Sequence, residues 1–156
     1  MNKIRFAAPL IALAAFMAAR QTGLSQSMNT FLPDAIQWVD GPAVLQPGSK
    51  MAVVKGDPTQ PGLFTMRLRF PANYRVDPHW HVADEHVTVI SGALHIGMGD
   101  MFDREKGKPL PRGGFLWMTA GTRHFAWTEQ PTELQIHGIG PWVVNYVNPA
   151  DDPRKR

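Results

Sequence analysis

Short apolar or alternating runs follow one another along this chain, and glycine, proline, asparagine and aspartate separate them. Alternation with a period of two residues is typical of strands, and no stretch after residue 30 sustains the 3.6-residue period of a helix. The pattern predicts nine strands, at residues 35–39, 51–55, 63–70, 85–90, 93–98, 114–118, 124–128, 133–137 and 143–147. Regularly spaced short strands indicate an all-β sandwich or barrel, and the double-sheet jelly roll is one arrangement that protects strand edges.

The segment at residues 100–111 interrupts this rhythm with many charged side chains, namely Asp103, Arg104, Glu105, Lys106 and Lys108. We expect an exposed surface loop here, with a mobile lid as the alternative interpretation.

The size and composition of the chain fit a single domain. Its 156 residues, 44% of them hydrophobic, can bury one core but are too few for two ordinary domains. Because the chain has no cysteine, it has neither a disulfide framework nor a thiolate metal ligand.

The N-terminal segment has the features of an export signal. Lys3 and Arg5 precede residues 6–19, which are all apolar or small, and Gly23-Leu24-Ser25 offers a cleavage site. A membrane anchor and an apolar first helix are the alternatives, but a helix of this length spans only about 21 Å of a hydrocarbon core roughly 30 Å thick. We therefore predict a cleaved signal peptide at 1–27, a single domain at 28–156, a periplasmic or secreted location and no stable membrane span after cleavage.

Cleavage would also remove the excess of basic residues. The full chain has 16 Lys and Arg against 13 Asp and Glu, and loss of Lys3, Arg5 and Arg20 leaves 13 against 13. A neutral domain gives no electrostatic reason to expect nucleic-acid binding.

Two histidines and a glutamate in the middle of the chain have the spacing of metal ligands. His79, His81 and Glu85 are separated by two and four residues, so on a single strand all three would point to the same face. Pro78 argues against a helix at this place.

This segment resembles the first motif of the cupin superfamily, in which H-x-H is followed by three or four residues, Glu, six residues and Gly. The chain matches it from His79 through Glu85 to Gly92. Asn73 stands where the family has a leading glycine, and asparagine is the other residue that best tolerates positive φ in a tight turn.

A second cupin motif is present in degenerate form. It runs from Gly113 through Gly121 to His124, while Thr119 and Thr128 replace the proline and asparagine of the family. The resemblance spans about residues 50–146 and implies a double-stranded β-helix, which is the jelly-roll barrel of the cupins.

The resemblance also implies a divalent metal ion held by His79, His81, Glu85 and His124. A set of nitrogen and oxygen ligands suits Mn, Fe, Co, Ni or Zn, and affinity alone does not choose among them. Glu85 is in addition a candidate acid or base. The alternative is a group of unrelated polar residues at the mouth of the barrel.

The other histidines have less definite roles. His86 is five residues from His81, so on a strand it would face the opposite way and pack on the surface or between sheets. His95 and His137 suit structural positions. Together with Gln135 on the same face, His137 is nevertheless the best candidate for a group that supports the metal ligands or faces the substrate.

Aromatic residues are dense around the two motifs, and most of them are expected to be core, with those beside the ligands walling an apolar pocket. They are Phe64, Phe70, Trp80, Phe115, Trp117, Phe125, Trp127 and Trp142.

The resemblance implies a metal-dependent enzyme, dioxygenase-like or isomerase-like, that acts on a small organic molecule. A non-catalytic module that binds a small molecule or a metal, and a barrel with a structural ion, are the alternatives, because one barrel serves many chemistries. Cupin barrels commonly pair through their sheets, so a homodimer is expected. The chain has no HExxH, G-x-S-x-G, Walker A or GxGxxG sequence to support other chemistry.

Overall fold

A computed structural model describes residues 28–156, and the predicted export signal at 1–27 lies outside the described residues. Residues 31–156 form one structural unit. In this described part, helical structure is limited to the short 3-10 segments Pro33–Ala35, Arg104–Lys106, Pro149–Asp151 and Pro153–Lys155. Among the same residues no helix has the length and apolarity needed to cross a membrane.

Eleven strands follow one another in the described residues. They are β1 Val39–Asp40, β2 Lys50–Lys55, β3 Gly62–Phe70, β4 Arg75–Trp80, β5 Glu85–Ser91, β6 Ala93–Met98, β7 Lys108–Pro111, β8 Phe115–Met118, β9 His124–Trp127, β10 Thr132–Gly140 and β11 Asn145–Tyr146.

The strands form two antiparallel sheets. One has six strands in the order β1-β2-β3-β10-β5-β8, and the other has five in the order β11-β4-β9-β6-β7. From β4 to β9 the chain passes repeatedly between the two sheets, and only β6 and β7 follow each other within one sheet, which is the double-stranded arrangement of a jelly roll. The all-β prediction and the jelly-roll prediction are confirmed.

The core lies between the two sheets and follows from the period-two pattern. Along β3 every second residue from Phe64 to Phe70 is buried, and β5 and β10 show the same alternation. Each such apolar side chain contributes about 1.5–3 kcal/mol when it leaves water. The inward residues of these three strands are Phe64, Met66, Leu68, Phe70, Val87, Val89, Leu134 and Ile136.

Three of the predicted segments need correction. The strand expected at 35–39 is reduced to Val39–Asp40, preceded by a 3-10 turn at Pro33–Ala35. The strand expected at 143–147 is reduced to Asn145–Tyr146. The charged segment at 100–111 is not only a loop, since Lys108–Pro111 pairs with β6 as an edge strand, where proline is tolerated.

Strand β4 was missing from the predicted strand list. Its sequence includes Asp77 and Pro78, which are poor strand formers, and Pro78 has no N–H to give to a neighbouring strand. The register of β4 with β9 shifts between Val76 and His79, so the proline lies within the irregularity.

Candidate metal centre

Strand pairing brings together the first two histidines of the site. His79 on β4 and His124 on β9 are directly opposite each other in the ladder, and their ring centroids are 4.1 Å apart. A register shift of one residue would turn one of these side chains to the other face of the sheet.

His81 reaches the same place by a different route from the one predicted. Strand β4 ends at Trp80, and residues 81–84 turn from the five-stranded sheet to the six-stranded sheet, where Glu85 begins β5. His79, His81 and Glu85 therefore do not share one strand, and that part of the prediction is wrong. The turn replaces the strand because β4 and β5 belong to facing sheets.

The turn of the second motif is bonded to this turn of the first. The backbone N–H of Gly121 donates to the carbonyl of His81 at 2.9 Å, and the N–H of Ala120 donates to Asp84 Oδ1 at 2.8 Å. These two bonds fix β9, and with it His124, relative to His81.

At two positions where the chain departs from the cupin motifs, the structure shows how the replacement residue fits. Asn73 has a φ of 60°, so it adopts the left-handed conformation that the family's glycine would adopt. Thr128, at the asparagine position, is fully buried, and its hydroxyl accepts from Tyr74 N–H at 3.1 Å and donates to the Pro71 carbonyl at 2.7 Å. The threonine thus ties the loop before β4 to the end of β9.

The three histidines converge with one free nitrogen each. Each of these histidines, His79, His81 and His124, has one ring nitrogen within 4.8 Å of the corresponding nitrogens of the other two. All three side chains are buried. Nδ1 of each ring lies 2.8–3.0 Å from a backbone carbonyl, those of Asp77, Val143 and Thr122 respectively. Because a carbonyl only accepts, each Nδ1 carries the hydrogen and each Nε2 keeps its lone pair for a ligand.

The Nε2 atom of His81 is the clearest sign of a missing partner. It is buried, and no hydrogen-bond partner lies in the described structure. A buried polar atom without a partner is costly, and a metal ion would satisfy this one.

Glu85 completes the cluster from the opposite sheet. Its Oε2 is 3.4 Å from His81 Nε2 and 4.0 Å from His124 Nε2, while Oε1 accepts a hydrogen bond from Trp142 Nε1 at 2.8 Å. Burial raises the pKa of Glu85, but His81, His124 and the Trp142 bond lower it by more, to about 2. The side chain is therefore a carboxylate at neutral pH.

The pKa values of the histidines favour the neutral form at two positions. Burial lowers the pKa of His79 well below its ordinary value, and the adjacent His124 and His81 lower it further. Burial likewise lowers the pKa of His124. Burial also acts to lower the pKa of His81, but the Glu85 carboxylate raises it by more, so its net shift is upward.

A small apolar cavity extends from the cluster into the barrel. It leaves about 40 Å³ for the centres of water-sized molecules, which is room for a few waters. His79, Glu85 and His124 contribute its polar or charged groups, and aliphatic and aromatic side chains form the rest of the wall. The space beside the histidines is therefore mostly apolar and no larger than a few water molecules.

Gln135 and His137 lie away from this cavity, which corrects their prediction as groups that support the ligands or face the substrate. Leu134 and Ile136 of the same strand line the cavity, so the alternation of β10 turns Gln135 and His137 to the outer face. His137 stacks there on His86, directly opposite it on β5, with ring centroids 4.8 Å apart.

The remaining histidine and several aromatic residues are also outside the site. His95 stacks on Trp127 at 4.9 Å, and its Nε2 is 3.7 Å from Glu129. Most aromatic residues near the motifs were expected in the core, and Phe115 and Trp117 are exceptions, 49% and 64% exposed on the outer face of β8.

Sequence reasoning did not assign Trp142 a role in the site, although it donates to Glu85 and stacks on His81 with centroids 5.6 Å apart. It lies 57 residues from Glu85 in the chain, outside both motifs, so no local pattern links them. Its only sequence signal is its place among the aromatics near the motifs.

The fold and the buried three-histidine cluster define a cupin-fold protein with a group that could hold a metal ion. The chain belongs to the family described as Domain of unknown function (DUF4437), which matches residues 45–152. The cupin fold implied by the resemblance is confirmed by the two-sheet architecture. No curated protein matches the chain.

Solved structures agree with this assignment of the fold. The polyketide cyclase RemF of Streptomyces resistomycificus is similar with a TM-score of 0.65 and 15% identity, over 83% of this chain and 92% of that one. A protein of Methylibium petroleiphilum assigned as an acetylacetone dioxygenase has a TM-score of 0.60 and 19% identity, over 83% and 88%. An RmlC-like cupin of Shewanella frigidimarina has a TM-score of 0.56 and 17% identity, over 73% and 92%.

Proposed function

We propose that this protein is an exported, metal-dependent cupin enzyme that acts on a small organic molecule by dioxygenase-like or isomerase-like chemistry. The observation that carries the proposal is the convergence of three buried imidazoles, each fixed through Nδ1, with the His81 Nε2 left without a hydrogen-bond partner. Fixing the far nitrogen by a backbone carbonyl is how proteins orient metal-binding imidazoles.

The residues present fit a divalent transition-metal ion. His79, His81 and His124 would supply three neutral nitrogen ligands, and Glu85 a carboxylate oxygen, which together suit Mn, Fe, Co, Ni or Zn. When bound, such an ion supplies Lewis-acid activation and a template for substrate oxygens.

Glu85 has two candidate roles, as a ligand and as a proton acceptor. With a pKa of about 2 in the metal-free protein it is a weak base, because an efficient general base has a pKa near the working pH. We therefore favour the ligand role. As an acceptor it would take a substrate proton at Oε2, since Oε1 is already bonded to Trp142.

The cavity wall indicates the kind of substrate. Leu68, Val87, Leu134 and Ile136 face the space beside the ligands, so an apolar body would leave water there while its oxygens meet the polar end. The names of the similar structures, a polyketide cyclase and an assigned acetylacetone dioxygenase, agree with oxygen-bearing small molecules.

The first experiment is elemental analysis of the full chain, produced without a polyhistidine tag or added metal. We expect close to one transition-metal ion per chain, lost in His81→Ala and retained in His95→Ala, which removes an imidazole outside the site. Oxygen uptake is then measured against a panel of diketones, phenols and flavonoids. Metal without turnover of any compound, and without a spectral change on adding one, would refute the enzyme.

A structural ion is a second candidate, because the four site groups are only 2–6% exposed. Folding that depends on metal would favour it, since a structural ion supplies folding energy. A module that binds a small molecule without turnover would instead show ligand binding and a folded metal-free form.

We propose export from the charged and apolar pattern of residues 1–27. Cell fractionation and the mass of the exported form test it. We expect a periplasmic or secreted protein that has lost about 27 residues, and an intact cytoplasmic chain would contradict this.

We also propose a homodimer. The exposed rings of Phe115 and Trp117 continue the stacked pair of His86 and His137 across the outer face of the six-stranded sheet. Exposed apolar patches of this kind mark interaction surfaces. Sedimentation equilibrium should give a dimer that Trp117→Lys dissociates, and a wild-type monomer would refute the pairing.

A further inference from the structure

The segment that follows β10 contacts the metal centre at several points. The carbonyl of Val143 accepts from His81 Nδ1 at 2.8 Å, and Tyr146 of β11 pairs with His79 in the ladder. Trp142 lies at the start of this segment, half-buried, and lines the cavity.

Trp142 makes two contacts that differ in kind. Its Nε1–H donates to Glu85 Oε1 at 2.8 Å, and its ring lies nearly parallel to the His81 imidazole, with centroids 5.6 Å apart and planes at 23°. An indole has one N–H and no acceptor, so this bond can only be donated to the carboxylate.

The hydrogen bond determines which oxygen of Glu85 is free. With Oε1 bonded to the indole, Oε2 is the atom that lies 3.4 Å from His81 Nε2 and 4.0 Å from His124 Nε2. A buried carboxylate without this donor would have other rotamers open to it, and the oxygen facing the histidines would no longer be fixed.

We propose that Trp142 is a positioning residue of the metal centre: its N–H orients the Glu85 carboxylate toward the histidines, and its ring fixes the His81 imidazole. This inference rests on the proposed metal site but goes beyond it, because it assigns a determinant of affinity outside the ligands. Loss of such a supporting donor typically weakens metal binding about 10–100-fold.

The test uses the full chain with Co(II) as the probe. Trp142→Phe keeps an aromatic ring but removes the N–H together with the second ring of the indole. We expect its Kd for Co(II), measured by competition with a chromophoric chelator, to rise about tenfold or more, and the visible absorption of the bound Co(II) to change. The matched control is Trp38→Phe, whose ring packs against Arg69 and is not part of the cavity wall, and it should leave both unchanged.

A double-mutant cycle distinguishes positioning from a general effect on the fold. If Trp142 acts through Glu85, then Trp142→Phe in a Glu85→Ala background should change the Kd for Co(II) by less than about twofold. An equal loss in both backgrounds would overturn the role proposed for the N–H, since the substitution would then act independently of the carboxylate.

A measurement on the wild-type protein covers the case in which the variant does not fold. The indole N–H of Trp142 should exchange with deuterium much more slowly than that of Trp38, and its nitrogen resonance should shift when Co(II) or Zn(II) is added. Fast exchange and an unmoved resonance in metal-binding protein would overturn the inference.

The outcomes separate this inference from the proposed function. Wild-type protein that binds Co(II) with the same Kd and spectrum as Trp142→Phe refutes the positioning role alone. Wild-type protein that binds no metal refutes the metal centre, and the inference fails with it.

Discussion

Replacing His81 with leucine should remove metal binding while leaving the metal-free fold nearly as stable as before. In metal-free protein the buried Nε2 of His81 has no partner, which costs about 1–3 kcal/mol. Leucine removes that cost but also removes the Nδ1 bond to the Val143 carbonyl, worth about 0.5–1.5 kcal/mol, and the attraction between His81 and the Glu85 carboxylate 3.4 Å away. The first change opposes the other two, so we expect a net loss of roughly 1 kcal/mol.

The metal contributes a much larger difference between the two proteins. At a free-ion concentration of 100 times Kd, binding stabilises the folded state by about 2.7 kcal/mol. The 129 described residues (156 minus 27) correspond to an unfolding entropy of about 0.27 kcal/mol per kelvin at about 2.1 cal/mol/K per residue. Wild-type Tm should therefore rise by about 10 °C, and the variant Tm should not move.

The assay is thermal unfolding at pH 8, after chelator treatment and then with added Zn(II) or Mn(II), together with urea unfolding of the metal-free forms. Ile136→Ala, which deletes a buried core side chain, calibrates the scale and should cost about 2–5 kcal/mol. If His81→Leu destabilises the metal-free protein as much as this control, or keeps the metal-dependent rise in Tm, the reasoning about His81 is wrong.

Three further outcomes are expected. Metal affinity should decrease as the pH is lowered, because protons compete with the metal for Nε2. It should weaken first near neutral pH, since the pKa of His81 is raised above its ordinary 6.5, and more steeply at lower pH, where His79 becomes charged. A Kd that is constant from pH 8 to 5 would contradict this. Thr128→Val should cost about 2 kcal/mol in urea unfolding, since two buried hydrogen bonds are lost in a shape that is otherwise kept, and Thr128→Ser should recover most of it. Gly107→Ala should lower Tm by several degrees, because a Cβ there would lie 1.9 Å from the Trp127 ring, and an unchanged Tm would show that the ring moves at no cost.

Local reasoning succeeded where a residue's role depends on its immediate neighbours. The period of the apolar residues predicted an all-β fold, and Asn73 was expected to tolerate the positive φ that the structure shows. It failed at β4, where the properties of Asp77 and Pro78 argue against a strand but pairing with β9 and β11 forms one. Strand formation there depends on partners far away in the chain, which a local pattern does not contain.

The site divides in the same way between local and distant information. The types and spacing of His79, His81 and Glu85 pointed to a metal centre, although the single-strand geometry used to argue it was wrong. Gln135 and His137 were misplaced because the sequence does not show which alternate residues of β10 face the core. That is decided by which face of the strand packs against the facing sheet.

By itself, then, the sequence determined the fold class, the turn conformations and the chemical set of candidate ligands, since these follow from side-chain chemistry and short-range periodicity. Only the tertiary structure decided that the candidate ligands come from two facing sheets, that Nδ1 of each of the three clustered histidines meets a carbonyl, and that Trp142 donates to Glu85. The physical reason is that register and sheet packing join residues tens of positions apart, and a hydrogen bond of 2.8 Å depends on where both backbones finally lie.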